Sequence, residues 1–162
     1  MDKMASYTSM EFRTAMGSFL SGVTVVTTQK SDGSPTGAAV NAFSSISSSP
    51  ATLMVSLDHN SRTLGFIKES KVFGVNILAK NQLDIVRHFA SKIDNPFGAT
   101  PHQIMASGAP IIEGSLAWFE CSIADIFKSG DHDIIIGHIT SLYSNPELSP
   151  LGYFRGELLT TV

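Results

Sequence analysis

The stretch GAAVNAFSSISSSPATLMVSLDHNSRT, residues 37–63, joins two segments whose composition is typical of β-strands, residues 36–40 and 52–57. Small side chains, which let another molecule approach the main chain, occur at Gly37, Ala38, Ala39 and Ala42. Side-chain donors and acceptors occur at Asn41, Ser44, Ser45 and Ser47. Because accessible peptide groups can bond a heterocycle in its plane, the stretch predicts a binding surface for a planar ligand.

The end of the same stretch has the features of a phosphate site. Ser61, Arg62 and Thr63 stand just before an apolar helical pattern, where a helix N-terminus would present unpaired N–H groups to an anion. Arg62 could add a bidentate ionic contact. The alternative is a serine-rich surface loop followed by an ordinary N-cap at Ser61 or Thr63.

Composition limits the class of protein. With 162 residues, 43% of them hydrophobic, the chain is long enough for one globular domain, residues 1–162. It has no apolar run of membrane-spanning length, and its start lacks the profile of a signal peptide, so we expect a cytoplasmic protein. A single cysteine, Cys121, excludes an intramolecular disulfide, and no cluster of metal-ligand residues is visible. The net charge of −3 argues against nucleic acid or membrane partners.

Hydrophobic periodicity predicts helices at residues 9–20, 63–69 and 82–91, with a capping box at Thr8 and Glu11 and an N-cap at Asn81. Strands are expected at residues 23–28, 36–40, 52–57, 72–78, 116–127 and 134–143. Residues 92–110 show no period and read as an excursion that is mobile or lies over a site. Hairpins with inserted helices favour an antiparallel β-barrel, and neither a Rossmann nor a P-loop motif occurs.

Six motifs in one order resemble the flavin reductase family over nearly the whole chain. They are residues 22–28 (GVTVVTT), 40–47 (VNAFSSIS), 55–63 (VSLDHNSRT), 89–90 (FA), 130–132 (GDH) and 150–156 (PLGYFRG). More narrowly, the chain is similar to short NAD(P)H:flavin oxidoreductases that serve as the reductase component of two-component, flavin-dependent monooxygenases. The resemblance implies an antiparallel split β-barrel of the FMN-binding type, with Greek-key strand order. It also implies a homodimer that uses FMN or FAD, NADH or NADPH, and an oxygenase partner.

The resemblance also implies residue roles. The flavin ring would lie along Val40, Asn41, Ala42, Phe43, Ser44, Ser45 and Ser47. Flavin phosphate would bind Ser61, Arg62 and Thr63, and the helix that closes on the cofactor carries Phe89 and Ala90. Tyr153, Phe154 and Arg155 would reach the site from the same or the partner subunit. His132 would be the catalytic residue, placed near the nicotinamide side of the flavin.

Several alternatives stay open at this level. Many relatives have Thr-Ala-Asn-Ser-Phe at residues 39–43, so two hydroxyls are missing here and we expect looser flavin binding. His132 could be a simple turn residue, and the protein could be a flavin- or haem-binding carrier or store without turnover. We read His138 as a half-buried structural residue, Cys121 as a small core residue, and His59 and His88 as surface or flavin-edge groups.

Overall fold

A computed structural model describes residues 6–91 and 93–161. Within these residues there are three α-helices, α1 (Ser9–Met16), α2 (Arg62–Ser70) and α3 (Leu83–Ala90). The strands are β1 (Ser21–Gly22), β2 (Thr24–Gln29), β3 (Pro35–Val40), β4 (Phe43–Ser48), β5 (Ala51–Asp58), β6 (Val72–Ile77), β7 (His102–Ile104), β8 (Pro110–Ile112), β9 (Ala117–Ser129), β10 (His132–Ser144), β11 (Gly152–Phe154) and β12 (Glu157–Leu159). No helix in this part of the chain is long and apolar enough to cross a membrane.

Seven strands form one antiparallel sheet in the order β3-β2-β6-β9-β10-β5-β4. The two ends of this order lie close together, because only Asn41 and Ala42 connect β3 to β4, and β3 also contacts β5. The β9–β10 hairpin turns in two residues, Gly130 and Asp131, and Gly130 has φ of 59°, which glycine adopts without strain. β1, β11 and β12 form a separate three-stranded sheet, and β7 pairs with β8.

The core lies on both faces of β2. Val25 and Val26 are consecutive and both fully buried, since a strand directs successive side chains to opposite faces. Val26 belongs to a cluster that includes Phe73 and Ile135, whereas Val25 packs in a second cluster under α3. The β-branched run at residues 23–28 is therefore a strand covered on both faces, with its threonines buried as well as its valines.

One buried amide links three segments of this core. Asn76 in β6 is fully buried, and its Nδ2 donates to the carbonyl of Val25 at 3.0 Å and to Thr27 Oγ1 at 3.2 Å. Its Oδ1 accepts from Ile112 N–H at 2.8 Å. Each side-chain polar atom thus has a partner, which is what makes its burial tolerable.

Some local predictions are confirmed. The capping box is present, because Glu11 N–H donates to Thr8 Oγ1 at 3.2 Å and Thr8 N–H donates to the Glu11 carboxylate at 2.7 Å. The turn at Asp32 and Gly33 connects β2 to β3, with Gly33 at φ of 82°. Cys121 is 1% exposed, and burial raises the pKa of its thiol to about 12. It is a core residue, as expected.

Other local predictions are wrong. α1 ends at Met16, not at residue 20, and α3 is capped at Gln82 rather than Asn81. The serine-rich segment expected to be a loop is strand β4, paired with β5. His138 is exposed, because β10 leaves the covered part of the sheet at this point.

The excursion at residues 92–110 also contains regular structure, β7 and the start of β8. Phe97 is buried and packs edge-on against Phe89 of α3, with ring centroids 4.9 Å apart. Ile93, Asp94 and Pro96 line a cavity beside α2. Part of this segment therefore lies over a cavity. Lys92 lies outside the described residues.

Candidate functional site

The first of two adjacent cavities lies at the end of β3, and we call it the β3 cavity. It has a volume of about 370 Å³ and is lined by Ala38, Ala39, Val40, Asn41, Ala42, Ser56, Leu57, Asp58, Ser61 and His132. Half of the lining residues are the consecutive residues 38–42, which carry only small or short side chains. The wall can therefore present peptide groups to the edge of a flat ligand.

The second cavity, the α2 cavity, has a volume of about 390 Å³. Its wall comes from three places, the N-terminus of α2, the end of α3 and residues 93–96. The lining residues are Lys30, Thr36, Gly37, Ala38, Ser61, Arg62, Thr63, Phe66, His88, Phe89, Ala90, Ser91, Ile93, Asp94 and Pro96. Ala38 and Ser61 line both cavities, so the two are contiguous.

The N-terminus of α2 supplies anion-binding groups to the shared wall. Ser61 is the N-cap, in extended conformation, and its side chain makes no capping hydrogen bond. Arg62, the first helical residue, is exposed and forms no ion pair with another described residue. Uncapped N–H groups, the helix dipole and an unpaired guanidinium together favour a phosphate at this point.

His88 adds a polar group to the α2 cavity. Its Nδ1 is buried and has no hydrogen-bond partner among the described residues. Buried polar atoms in folded proteins are nearly always paired, so an unpaired one in a cavity wall fits a site that takes up a polar ligand. Sequence reasoning grouped His88 only loosely with surface or flavin-edge residues. The signal available was its position directly before Phe89 and Ala90.

His132 also lines the β3 cavity. It is the first residue of β10, pairs with Asp58 of β5, and its side chain is 41% exposed. Its Nδ1 lies 2.7 Å from Asp131 Oδ1, and this hydrogen bond lowers the pKa of the Asp131 carboxyl. The Nδ1 proton is thereby oriented, which leaves Nε2 free to bond a ligand.

The structure brings most predicted site residues together. Val40, Asn41, Ala42 and His132 line the β3 cavity, while Arg62, Thr63, Phe89 and Ala90 line the α2 cavity, and Ser61 lines both. Gly37 lines the α2 cavity but is small for another reason. A Cβ there would lie 2.8 Å from the Val26 carbonyl oxygen and 3.0 Å from the Phe89 ring. Its missing side chain makes room for α3.

The remaining predicted residues lie elsewhere in the chain. Phe43 turns toward the core and packs against Phe119, with centroids 6.1 Å apart, and Ser44, Ser45 and Ser47 are exposed along β4. Tyr153 and Phe154 belong to β11, and Arg155 follows it. Tyr153 and Arg155 line a different cavity, of about 330 Å³, against α1. Their assignment to the flavin site stays a prediction.

Sequence reasoning missed part of the wall. Ser56, Leu57 and Asp58 line the β3 cavity from β5. The sequence shows β5 as a strand, but not which neighbour covers each of its faces. β3 contacts β5 in the fold, and hydrophobic alternation within a strand does not specify such a contact between segments.

With this geometry, comparison with known proteins identifies the family. Residues 16–161 match the family described as flavin reductase like domain, and the chain belongs to this family. It is similar to the "Probable flavin reductase" of Rhizobium meliloti (strain 1021), with 40% identity over 148 residues, which are 91% of this chain and 47% of that protein. It is also similar to the reductase component of the flavin-dependent trigonelline monooxygenase of Acinetobacter baylyi, with 39% identity over 150 residues, 93% of this chain and 48% of that protein. The chain spans about half the length of these two curated relatives.

A solved structure agrees with the fold. The NADH:FAD oxidoreductase SgcE6 of Streptomyces globisporus C-1027, in complex with NAD and FAD fragments, superposes with a TM-score of 0.89 and 28% identity. The match covers 94% of this chain and 92% of that one. The predicted family and the mainly antiparallel β fold are confirmed.

Proposed function

We propose that this chain, as a single domain, binds a flavin nucleotide and catalyses its reduction by NADH or NADPH. The reduced FMN or FAD then passes to a partner monooxygenase. The observation that carries this proposal is the continuity of the two cavities, which joins an anion site at α2 to a main-chain wall and His132. The names of relatives support it, since one is an NADH:FAD oxidoreductase and another a monooxygenase reductase component.

The residues present fit a flavin. Its phosphate would bind the N–H groups at the start of α2 together with Arg62, and the ring would lie along residues 38–42 in the β3 cavity. Ser61, which lines both cavities, would contact the part of the ligand that connects them. His88, whose buried Nδ1 has no hydrogen-bond partner among the described residues, also lines the α2 cavity. A bound flavin would supply the redox chemistry, because it accepts a hydride, two electrons with one proton, from the nicotinamide.

The protein's part in this reaction is positioning. The two reacting rings must stack within about 3–3.5 Å, which needs a slot that holds one ring and leaves its other face open. The wall at residues 38–42 holds one side, and His132 stands at the mouth with Nε2 free. Because Nδ1 carries the proton donated to Asp131, neutral Nε2 would accept a hydrogen bond from the nicotinamide carboxamide N–H or a ribose hydroxyl and so orient the hydride donor.

Turnover separates this proposal from the carrier alternative. Purified protein is mixed with FMN or FAD and then with NADH or NADPH, and absorbance at the nicotinamide band is followed under air. We expect catalytic loss of the band at a rate well above that of free flavin with nicotinamide. Tight flavin binding without this loss would instead indicate a carrier or a store.

We further propose that the chain is a two-fold homodimer. None of the residues of α1 is buried, although its sequence is apolar on one side. The exposed apolar residues on and after α1 are Met10, Phe12, Met16, Phe19 and Leu20, between 46% and 76% exposed. So many exposed large apolar side chains in one short segment are unusual on a monomer and suit a second copy of the chain, with at least about 1,200 Å² buried in total.

Sedimentation at micromolar concentration tests the dimer. We expect a dimer for the natural sequence and a shift toward monomer for Phe19→Glu. Ile104→Glu is the matched control, because Ile104 is also an exposed apolar residue, 45% accessible on β7, but lies far along the chain from α1. A natural protein that sediments as an active monomer would refute the assembly.

A further inference from the structure

Asp133 is a buried carboxylate next to His132 that the proposed reaction does not use. Its side chain is 6% exposed, although it lies near the tip of the β9–β10 hairpin. Oδ1 accepts a hydrogen bond from His59 Nε2 at 2.8 Å, and Oδ2 accepts one from Lys68 Nζ at 2.5 Å. The contacts from Lys68 and then His59 lower the pKa of the Asp133 carboxyl. The carboxylate is therefore ionised at neutral pH and bonded at both oxygens.

These contacts connect three segments of the chain. Asp133 belongs to β10, His59 follows β5, and Lys68 is in α2. A main-chain bond runs in parallel, since His59 N–H donates to the Asp131 carbonyl at 2.9 Å. The hairpin tip is thus fastened to α2, whose N-terminus carries the proposed phosphate site.

The position of His132 depends on this attachment. Consecutive residues of a strand point to opposite faces, so His132 faces the β3 cavity while Asp133 faces His59 and Lys68. The adjoining tip, residues 127–131, is exposed and has little packing of its own. α2, in contrast, is held by the buried Thr63, Leu64 and Ile67. Release of Asp133 should therefore displace the hairpin tip and leave α2 in place.

We propose that Asp133 is a positioning residue, which with His59 and Lys68 fixes the hairpin tip so that His132 stays at the mouth of the β3 cavity. This inference rests on the proposed function. A general loss of stability would lower flavin affinity and the rate of hydride transfer together, whereas loss of positioning would lower only the rate. Flavin affinity depends on α2 and should change little, whereas hydride transfer depends on His132 and should fall.

The test is Asp133→Asn, whose amide has one acceptor oxygen and cannot satisfy both donors. We expect the rate of flavin reduction by NADH to fall about ten- to a hundredfold, with flavin dissociation constants within about twofold of the natural protein. Lys68→Met should lower the reduction rate in part. Lys68→Arg, which keeps the charge and the donor, should keep the rate near that of the natural protein. In a His132→Ala background, Asp133→Asn should cause little further loss, because both changes act through one group.

Hydrogen exchange gives a readout that does not need activity. Faster exchange of the His59 amide in Asp133→Asn, with unchanged exchange in α2, is expected if the tip is released. A natural protein without flavin reduction would overturn the proposed function. If the natural protein reduces flavin and Asp133→Asn does so at an equal rate, the positioning role alone is overturned. The same holds if Asp133→Asn loses reduction rate and flavin affinity to the same extent.

Discussion

Replacement of Arg62 by alanine tests the phosphate site most directly. Arg62 is the first residue of α2, lines the α2 cavity, is exposed, and has no ion pair within the described residues. Its removal therefore breaks no ion pair and no side-chain hydrogen bond among the described residues, and we expect Arg62→Ala to fold normally. Any change in flavin binding can then be assigned to the ligand contact.

The size of the effect follows from what remains. The N–H groups at the start of α2 and the hydroxyl of Ser61 still face the phosphate, so only the guanidinium contact is lost. A hydrogen bond to a charged group contributes about 1.5–3 kcal/mol, and solvent around an exposed arginine reduces that contribution. We expect a loss of about 1–3 kcal/mol, which is a rise of roughly 5- to 150-fold in the dissociation constant.

Flavin fluorescence titration measures this constant with FMN and with FAD. Lys80→Ala is the matched control, because it removes one exposed positive charge at a residue that lines neither cavity. Arg62→Lys should recover part of the affinity, since lysine keeps the charge without the bidentate geometry. If Arg62→Ala and Lys80→Ala bind flavin with the same affinity as the natural protein, Arg62 does not contact the flavin phosphate.

Three further changes test the site and the core. His132→Ala should leave flavin affinity nearly unchanged but lower the rate of flavin reduction at saturating NADH about ten- to a hundredfold, as measured by stopped flow; an unchanged rate at every NADH concentration would make His132 a turn residue. Asn76→Ala removes the amide that bonds the buried Val25 carbonyl and the buried Ile112 N–H. We expect urea denaturation to show that the free energy of unfolding falls by about 2–5 kcal/mol. A fall of less than about 1 kcal/mol would contradict this role of the amide. Cys121, with a thiol pKa of about 12, should not react with a thiol reagent at pH 8 until urea unfolds the protein, and rapid reaction of the folded protein would show that the thiol is accessible.

Features set by neighbours in the sequence could be predicted. The capping box at Thr8 and Glu11 and the β-branched strand β2 each depend on a few adjacent residues, and each forms as expected. Strand β4 depends instead on pairing with β5, and its serines carry no apolar alternation, so the sequence suggests a loop. His138 was misread for a similar reason, because alternation gives the side of a strand but not what covers that side.

The candidate site divides in the same way. Residues 61–63 could be predicted because a helix start has a local signature, and the GDH turn could be predicted from the resemblance to the family. The wall from β5 and the attachment of Asp133 could not, because each depends on segments that are distant in sequence and meet only in the fold. The segment at Tyr153 lies against α1 within this chain, so its predicted contact with flavin would need a second subunit.

The small residues at positions 37–42 are small for two different reasons, and the difference affects how a flavin would be held. Gly37 is small because α3 occupies the space, and Ala39 packs against the cluster under α3, whereas Ala42 is exposed at the β3 cavity. Neither Ala39 nor Ala42 has a side-chain hydroxyl to offer a flavin. Main-chain groups would then hold the ring, and the charged contact at Arg62 would contribute a larger share of the affinity. Such an arrangement favours a flavin that leaves after reduction, since an oxygenase can receive it only if the reductase releases it.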